Sequence, residues 1–253
     1  MASALRRPLL AGNWKMNLTL AQSVELAKLV AGGANTASGE VAVFVPFTAV
    51  TVVAEILKGS SVRLGAQDCY WEASGAFTGE VAVGQLSDAG CQMVLIGHSE
   101  RRKLFGETDE HVNKKLGAAL KGGLTPVVCL GETLEERESQ KTWRVLETQI
   151  AGGLKGFAPA DLAKVVVAYE PVWAIGTGKT ASPAQAQEAH AFIRQQLKKI
   201  HEGFAAGCRV LYGGSVTADN VDALMAQADV DGALVGGASL KKDFLRIMGF
   251  QKA

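Results

Sequence analysis

Eight short runs of consecutive apolar residues, each closed by a polar or glycine-containing stretch, constrain this chain more than any other feature. They are Pro8–Trp14, Val41–Val45, Val62–Ala66, Met93–Gly97, Pro126–Leu130, Val165–Tyr169, Arg209–Tyr212 and Gly232–Val235. They do not alternate apolar with polar residues, as a strand with one wet face does. Unbroken apolar runs suit parallel strands buried on both faces.

Helical signals fill the intervals. Thr19 with Gln22, Thr133 with Glu136, and Ser182 with Gln185 are capping boxes, in which each side chain satisfies a backbone N–H of the other residue. The first predicts a helix to about Val30. In the third, Pro183 takes the first helical position, where a missing N–H costs nothing. Behind it Ala189, Ile193, Leu197 and Ile200 recur at helical spacing and predict one apolar stripe. Strands alternating with helices make βαβ units and a parallel sheet. Eight units predict an α/β fold, a closed (β/α)8 barrel of eight parallel strands. An open doubly wound sheet is the alternative, because counting strands does not close a sheet.

The length of 253 residues suits such a barrel, which needs about 250. Since no Pro/Ser-rich linker divides the chain, residues 1–253 are expected to form one domain. The 48% of hydrophobic residues fills a sizeable core. With 26 basic and 25 acidic residues, the net charge of +1 and the lack of a basic run argue against a nucleic-acid partner. No apolar run approaches the roughly 20 residues of a membrane helix. The stretch after Arg6 and Arg7 is too short and too interrupted for a signal sequence. Cys69, Cys91, Cys129 and Cys208 are scattered, with neither a C-x-x-C pair nor zinc-ligand spacing. Four free thiols fit a reducing compartment, so a cytoplasmic location is expected.

In a barrel of this kind the chemistry sits just past the C-terminal strand ends. Run one is followed by Asn13 and Lys15, run four by His98, Ser99 and Glu100, and run six by Glu170. Gly213-Gly214-Ser215 follows run seven and Gly236-Gly237 follows run eight. Singly, each has an ordinary structural reading: a satisfied histidine, a solvated lysine, a plain turn. Their coincidence at strand ends points to one site. The two glycine-rich turns let backbone N–H groups approach an anion closely, which suits a phosphorylated substrate. After Glu170 comes Pro171-Val172-Trp173-Ala174-Ile175-Gly176-Thr177-Gly178-Lys179. Its apolar residues in a loop suit a lid that closes over the site; a loop permanently packed on the barrel is the alternative.

These stretches resemble the triosephosphate isomerase family, whose fold is the TIM barrel. The resemblance rests on Gly12–Asn17, Gly97–Arg102, Ala168–Lys179, Tyr212–Ser215 and Leu234–Ala238, in the family's order along nearly the whole chain. It implies interconversion of dihydroxyacetone phosphate and D-glyceraldehyde 3-phosphate through an enediolate, in glycolysis and gluconeogenesis, without a metal or organic cofactor. By it, Glu170 is the general base and a neutral His98 polarises the carbonyl. Asn13 and Lys15 stabilise negative charge, and Glu100 holds Lys15. Gly176, Ser215, Gly236 and Gly237 present backbone N–H groups to the phosphate. Gly75–Glu80 is similar to the family's dimer-contact loop, which implies a homodimer with Thr78 reaching the partner's site. Departures from common family usage are Val81-Ala82-Val83-Gly84, Asp68 and Lys242; none falls in the implied catalytic set.

Three other readings compete. An aldolase-like barrel would use Lys15 as a Schiff-base nucleophile, but a carboxylate such as Glu100 beside an amine keeps it charged. A phosphate-binding module without catalysis would not need the full set of Asn13, Lys15, His98 and Glu170. Another phosphate-binding barrel isomerase is set aside only by the resemblance.

Overall fold

A computed structural model describes residues 6–175 and 180–251. The strands are β1 Leu9–Asn13, β2 Glu40–Val45, β3 Arg63–Ala66, β4 Met93–Ile96, β5 Thr125–Leu130, β6 Val166–Tyr169, β7 Val210–Tyr212 and β8 Gly232–Val235. Each lies within or beside one of the apolar runs. Neighbours pair in parallel, and β1 also pairs with β8, Leu10 opposite Ala233. The sheet therefore closes into a barrel, and the open-sheet alternative is excluded.

Closure explains the unbroken runs. Leu9, Ala11, Ala42, Phe44, Met93, Leu95, Val127, Cys129, Val166, Ala168, Leu211 and Leu234 fill the barrel interior. The intervening Leu10, Val41, Val43, Val45, Val94, Val128 and Val167 pack outward against the helices. Both faces exclude water, so neither needs polar residues. Interior volume is shared between strands: a Cβ on Gly65 would lie 2.4 Å from the Phe44 ring.

The helices are α1 Leu20–Gly33, α2 Val50–Leu57, α3 Val83–Asp88, α4 Ser99–Phe105, α5 Asp109–Lys121, α6 Leu134–Glu138, α7 Thr142–Gly153, α8 Pro159–Leu162 and α9 Pro183–Ile200. Three short ones follow: α10 Glu202–Gly207, α11 Val221–Met225 and α12 Asp243–Met248. All three capping boxes form. Such a cap is worth about 1 kcal/mol at each helix start. The α9 stripe is shorter than expected. Ala189, Ile193 and Leu197 are buried, but Ile200 is 36% exposed at the helix end, one position before the chain turns at His201.

The four cysteines are free and buried. No helix among the described residues is long and apolar enough to cross a membrane.

Candidate active site

The C-terminal strand ends surround a cavity of about 620 Å³ lined by Asn13, Lys15, His98, Glu170, Gly213 to Thr217 and Gly236 to Ala238, among others. Three of its polar side chains are almost completely removed from water: Asn13 (4% exposed), His98 (6%) and Glu170 (1%).

Asn13 ends β1, and Lys15 follows in the left-handed region at φ 52°. A non-glycine residue there is strained by about 1–3 kcal/mol unless its surroundings hold it. They do: the Lys15 N–H donates to Asn13 Oδ1 at 3.0 Å, and Gln67 Nε2 donates to the Lys15 carbonyl at 2.9 Å. The side chain then reaches Glu100, with Nζ 2.5 Å from Oε1. The amine is thus engaged by a carboxylate and not presented as a Schiff-base nucleophile would be.

His98 follows β4 and caps α4. Its Nδ1 accepts the Glu100 N–H at 3.3 Å, so the ring proton sits on Nε2 in the neutral form. That Nε2 lies 2.9 Å from Glu170 Oε1 and 3.3 Å from Asn13 Nδ2. Glu170, just past β6, also accepts the Ser99 N–H on Oε2 at 2.9 Å and the Ser99 hydroxyl on Oε1 at 3.3 Å. Burial pushes the Glu170 carboxyl up. His98, the Ser99 N–H and Lys15 outweigh burial and hold it below its ordinary value. Burial pushes His98 down, but the adjacent Glu170 carboxylate, with Glu100 behind it, lifts the imidazole above its usual value against the opposition of Lys15. In this arrangement the raised pKa favours the charged ring. The cause is the contact with Glu170.

The glycine-rich turns close the opposite wall. Ser215, Gly236 and Gly237 all line the cavity. A Cβ on Gly236 would sit 3.5 Å from Lys15 Cε, so the lysine and this turn face the same space. Ser239 ties the turn down, its hydroxyl donating to the Gly236 carbonyl at 2.7 Å.

Of the lid segment, Pro171 to Ile175 is described, whereas Gly176, Thr177, Gly178 and Lys179 lie outside the described residues. Val172–Ala174 forms a single 3-10 turn in which Trp173 and Ala174 are buried. Thr78 is exposed and does not join the cavity of its own chain.

Two more residues complete the surroundings: Ser99, noted after run four without a role, and Glu132, which sequence reasoning passed over. Ser99 orients the Glu170 carboxylate. Glu132 is fully buried and accepts the Trp173 indole N–H at 2.8 Å, the Tyr169 hydroxyl at 3.1 Å and Arg137 at 3.2 Å. Glu132 lies two residues past β5, and the rule that points to Glu170 past β6 points to it as well. Its neighbour Gly131 is also fixed by the site, because a Cβ there would fall 1.8 Å from the Glu170 carbonyl oxygen.

The model of one protein family, triosephosphate isomerase, matches residues 8–251. The chain belongs to the triosephosphate isomerase family. It is 54% identical over 251 residues to the triosephosphate isomerase of Geotalea uraniireducens, covering 98% of this chain and 100% of that one. It is 56% identical to that of Citrifermentans bemidjiense over 242 residues, covering 94% and 95%. The solved triosephosphate isomerase of Bartonella henselae superposes with a TM-score of 0.86 at 41% identity, covering 95% of this chain and 97% of that one. Membership makes the chain an enzyme, an isomerase of triose phosphate in glycolysis.

Proposed function

We propose that Glu170 removes the proton from the carbon next to the substrate carbonyl and returns it to the neighbouring carbon, interconverting dihydroxyacetone phosphate and D-glyceraldehyde 3-phosphate. The observation that carries this reading is the buried Glu170 carboxylate in the same cavity as His98, Asn13 and Lys15. A carbon acid next to a carbonyl is too weak for a free carboxylate in water. The developing oxyanion needs donors already aimed at it, and the base must be close to its proton. Asn13 Nδ2, Lys15 Nζ and the His98 Nε2–H are those donors. Lys15 is held in its strained place by Asn13, Gln67 and Glu100.

Substrate binding separates Glu170 from His98. To reach a carbon, the carboxylate leaves Ser99 and the imidazole. His98 then loses the contact that lifted its pKa. Burial and Lys15, which both lower it, are what remain beside Glu100. The neutral ring expected for the electrophile thus belongs to the occupied site. Ser215, Gly236, Gly237 and Gly176 receive the phosphate on backbone N–H groups. The segment Pro171 to Lys179 closes over it and keeps water from the enediolate. The reaction as derived uses no metal or organic cofactor.

The chain is read as one domain acting in the cytoplasm as a homodimer. The exposed loop Gly75–Glu80, with exposed Met16 (94%), Phe77 (40%) and Phe105 (68%), supplies the apolar surface that a second copy covers. Thr78 then approaches the partner's site.

The test is turnover of D-glyceraldehyde 3-phosphate by the native chain and by Glu170→Asp. Withdrawing the carboxylate by one methylene is expected to cost about 100-fold in kcat at unchanged fold stability. Equal turnover would remove Glu170 from its role, and no turnover in the native chain would sink the mechanism.

A further inference from the structure

Glu170 borders two cavities. The first is the active site. The second, of about 290 Å³, is lined by Gly97, Ser99, Lys103, Leu130, Gly131 and Val172, with Arg102, Thr133, Glu136 and Gln149 around them. His98, Asn13 and Lys15 line only the first cavity; Ser99 lines only the second. The base therefore forms a partition, bonded to the Ser99 N–H and hydroxyl on the side of the second space and to His98 on the side of the first.

We infer that this second cavity is a binding site for a small amphipathic monoanion, an aryl or short-chain carboxylate, whose occupancy holds Glu170 withdrawn. The inference rests on Glu170 being the base.

The lining sets the ligand's polarity and orientation. Near the base, Gly97, Leu130, Gly131 and Val172 offer apolar surface and small volume, where a ring or short chain packs without presenting charge to the Glu170 carboxylate. The charged groups are mostly occupied. Arg102 donates to the Gly97 carbonyl at 2.9 Å, to Asp109 at 2.7 Å and to the Cys129 carbonyl at 3.3 Å. Glu136 accepts the Thr133 N–H at 2.8 Å in its capping box. Gln149 donates to the Gly131 carbonyl at 3.1 Å and accepts the Gly131 N–H at 2.8 Å. Lys103, exposed on α4, has no ion-pair partner among the described residues. The ligand's anion therefore belongs at the rim with Lys103, and its apolar end lies inward, against Val172 and the back of Glu170. A pure anion such as phosphate has no apolar body for the interior, and the base would repel it there.

Such a ligand would not contact substrate. It would pack on Val172, two residues past Glu170, and on the wall that Glu170 and Ser99 form in the withdrawn arrangement; contacts made only to that arrangement oppose the advance of the base toward the substrate carbon.

Benzoate is the probe, benzamide its uncharged counterpart, and Lys103→Glu the variant. Saturation-transfer NMR reads binding independently of turnover, so a failed mechanism and a failed site are distinguishable. Benzoate is expected to bind saturably and to lower kcat in a way that saturating triose phosphate does not relieve. Lys103→Glu is expected to keep native turnover without benzoate and to weaken benzoate binding about fivefold, the scale of one exposed ion pair. Benzamide is expected to bind the native and variant chains alike. Relief of inhibition by substrate would place benzoate in the first cavity and overturn the inference. So would equal benzoate affinity in Lys103→Glu, or no saturable binding.

Discussion

Glu132 accepts the indole N–H of Trp173 at 2.8 Å, and through this bond a carboxylate two residues past β5 anchors the residue three positions beyond Glu170, the proposed base. The same carboxylate takes the Tyr169 hydroxyl from β6 and the Arg137 guanidinium from α6, while Arg137 also lies over the Trp173 ring, 4.3 Å from its centroid. One buried acceptor thus fixes both the strand that delivers Glu170 and the start of the proposed lid.

Replacing that acceptor tests the link. Glu132→Leu removes the acceptor of the buried Tyr169 hydroxyl and one of the bonds of Trp173, and a buried donor left unsatisfied costs about 1–3 kcal/mol. Glu132→Gln keeps one acceptor oxygen. The expected order of urea stability is native, then Gln, then Leu, with kcat/KM falling in the same order because Trp173 loses its seat. Unchanged kinetics in both variants would detach Glu132 from the lid.

Gly131→Ala probes the backbone beneath Glu170, the proposed base. The added methyl would overlap the Glu170 carbonyl, so the β6 end must move. Displacements near 1 Å are expected to cost roughly 100-fold in kcat. A variant that stays folded by circular dichroism yet turns over at native speed would contradict this.

His190 supplies a pH dependence separate from catalysis. Its Nδ1–H donates to the Asp229 carbonyl at 3.2 Å, and its buried Nε2 has no hydrogen-bond partner among the described residues. Burial pushes its pKa down to about 4, against the Asp229 contact that raises it. An unfolded histidine, near 6.5, takes up its proton first as pH falls. The unfolded state therefore gains protons between pH 6.5 and 4 while the folded state does not, and stability declines across that window. From pH 7 to 5 the native chain is expected to lose about 2 kcal/mol more than His190→Gln in urea titrations. Parallel losses would show that His190 does not titrate as described.

Association is tested at Phe105, exposed at the end of α4, the helix that begins at Ser99. Phe105→Asp is expected to shift the solution mass toward one chain and to lower turnover per chain by roughly tenfold or more, because a misplaced catalytic loop loses its geometry. A monomer with native turnover would remove the partner from the mechanism.

The sequence was most legible where one local rule decides the outcome. Strands buried on both faces read as unbroken apolar runs, and Thr19, Thr133 and Ser182 announce their helices through partners three residues away. Residues past strand ends were legible too, because a barrel brings those ends to one face: Asn13, His98 and Glu170 converge as expected. What stayed hidden depends on distant pairing. Asp68, noticed only as a departure from family usage, is buried against Lys115 at 2.6 Å and Arg101 at 2.8 Å, and both cations also pair with buried Glu107. No spacing rule connects residue 68 to residue 115. Ile200 misled for the opposite reason: its helical phase was right, but the periodicity continued past the surface that α9 packs against.

The closure of β1 onto β8 carries one more consequence. A ring of strands has no row of unpaired backbone N–H and C=O groups along a border, so another chain cannot lengthen the sheet by strand addition. Assembly of copies by strand addition to this sheet is thereby ruled out, and any recognition between copies must be written in side chains and loops, as proposed for Gly75–Glu80. A contact written that way can be erased by one or two substitutions without unpicking a single strand.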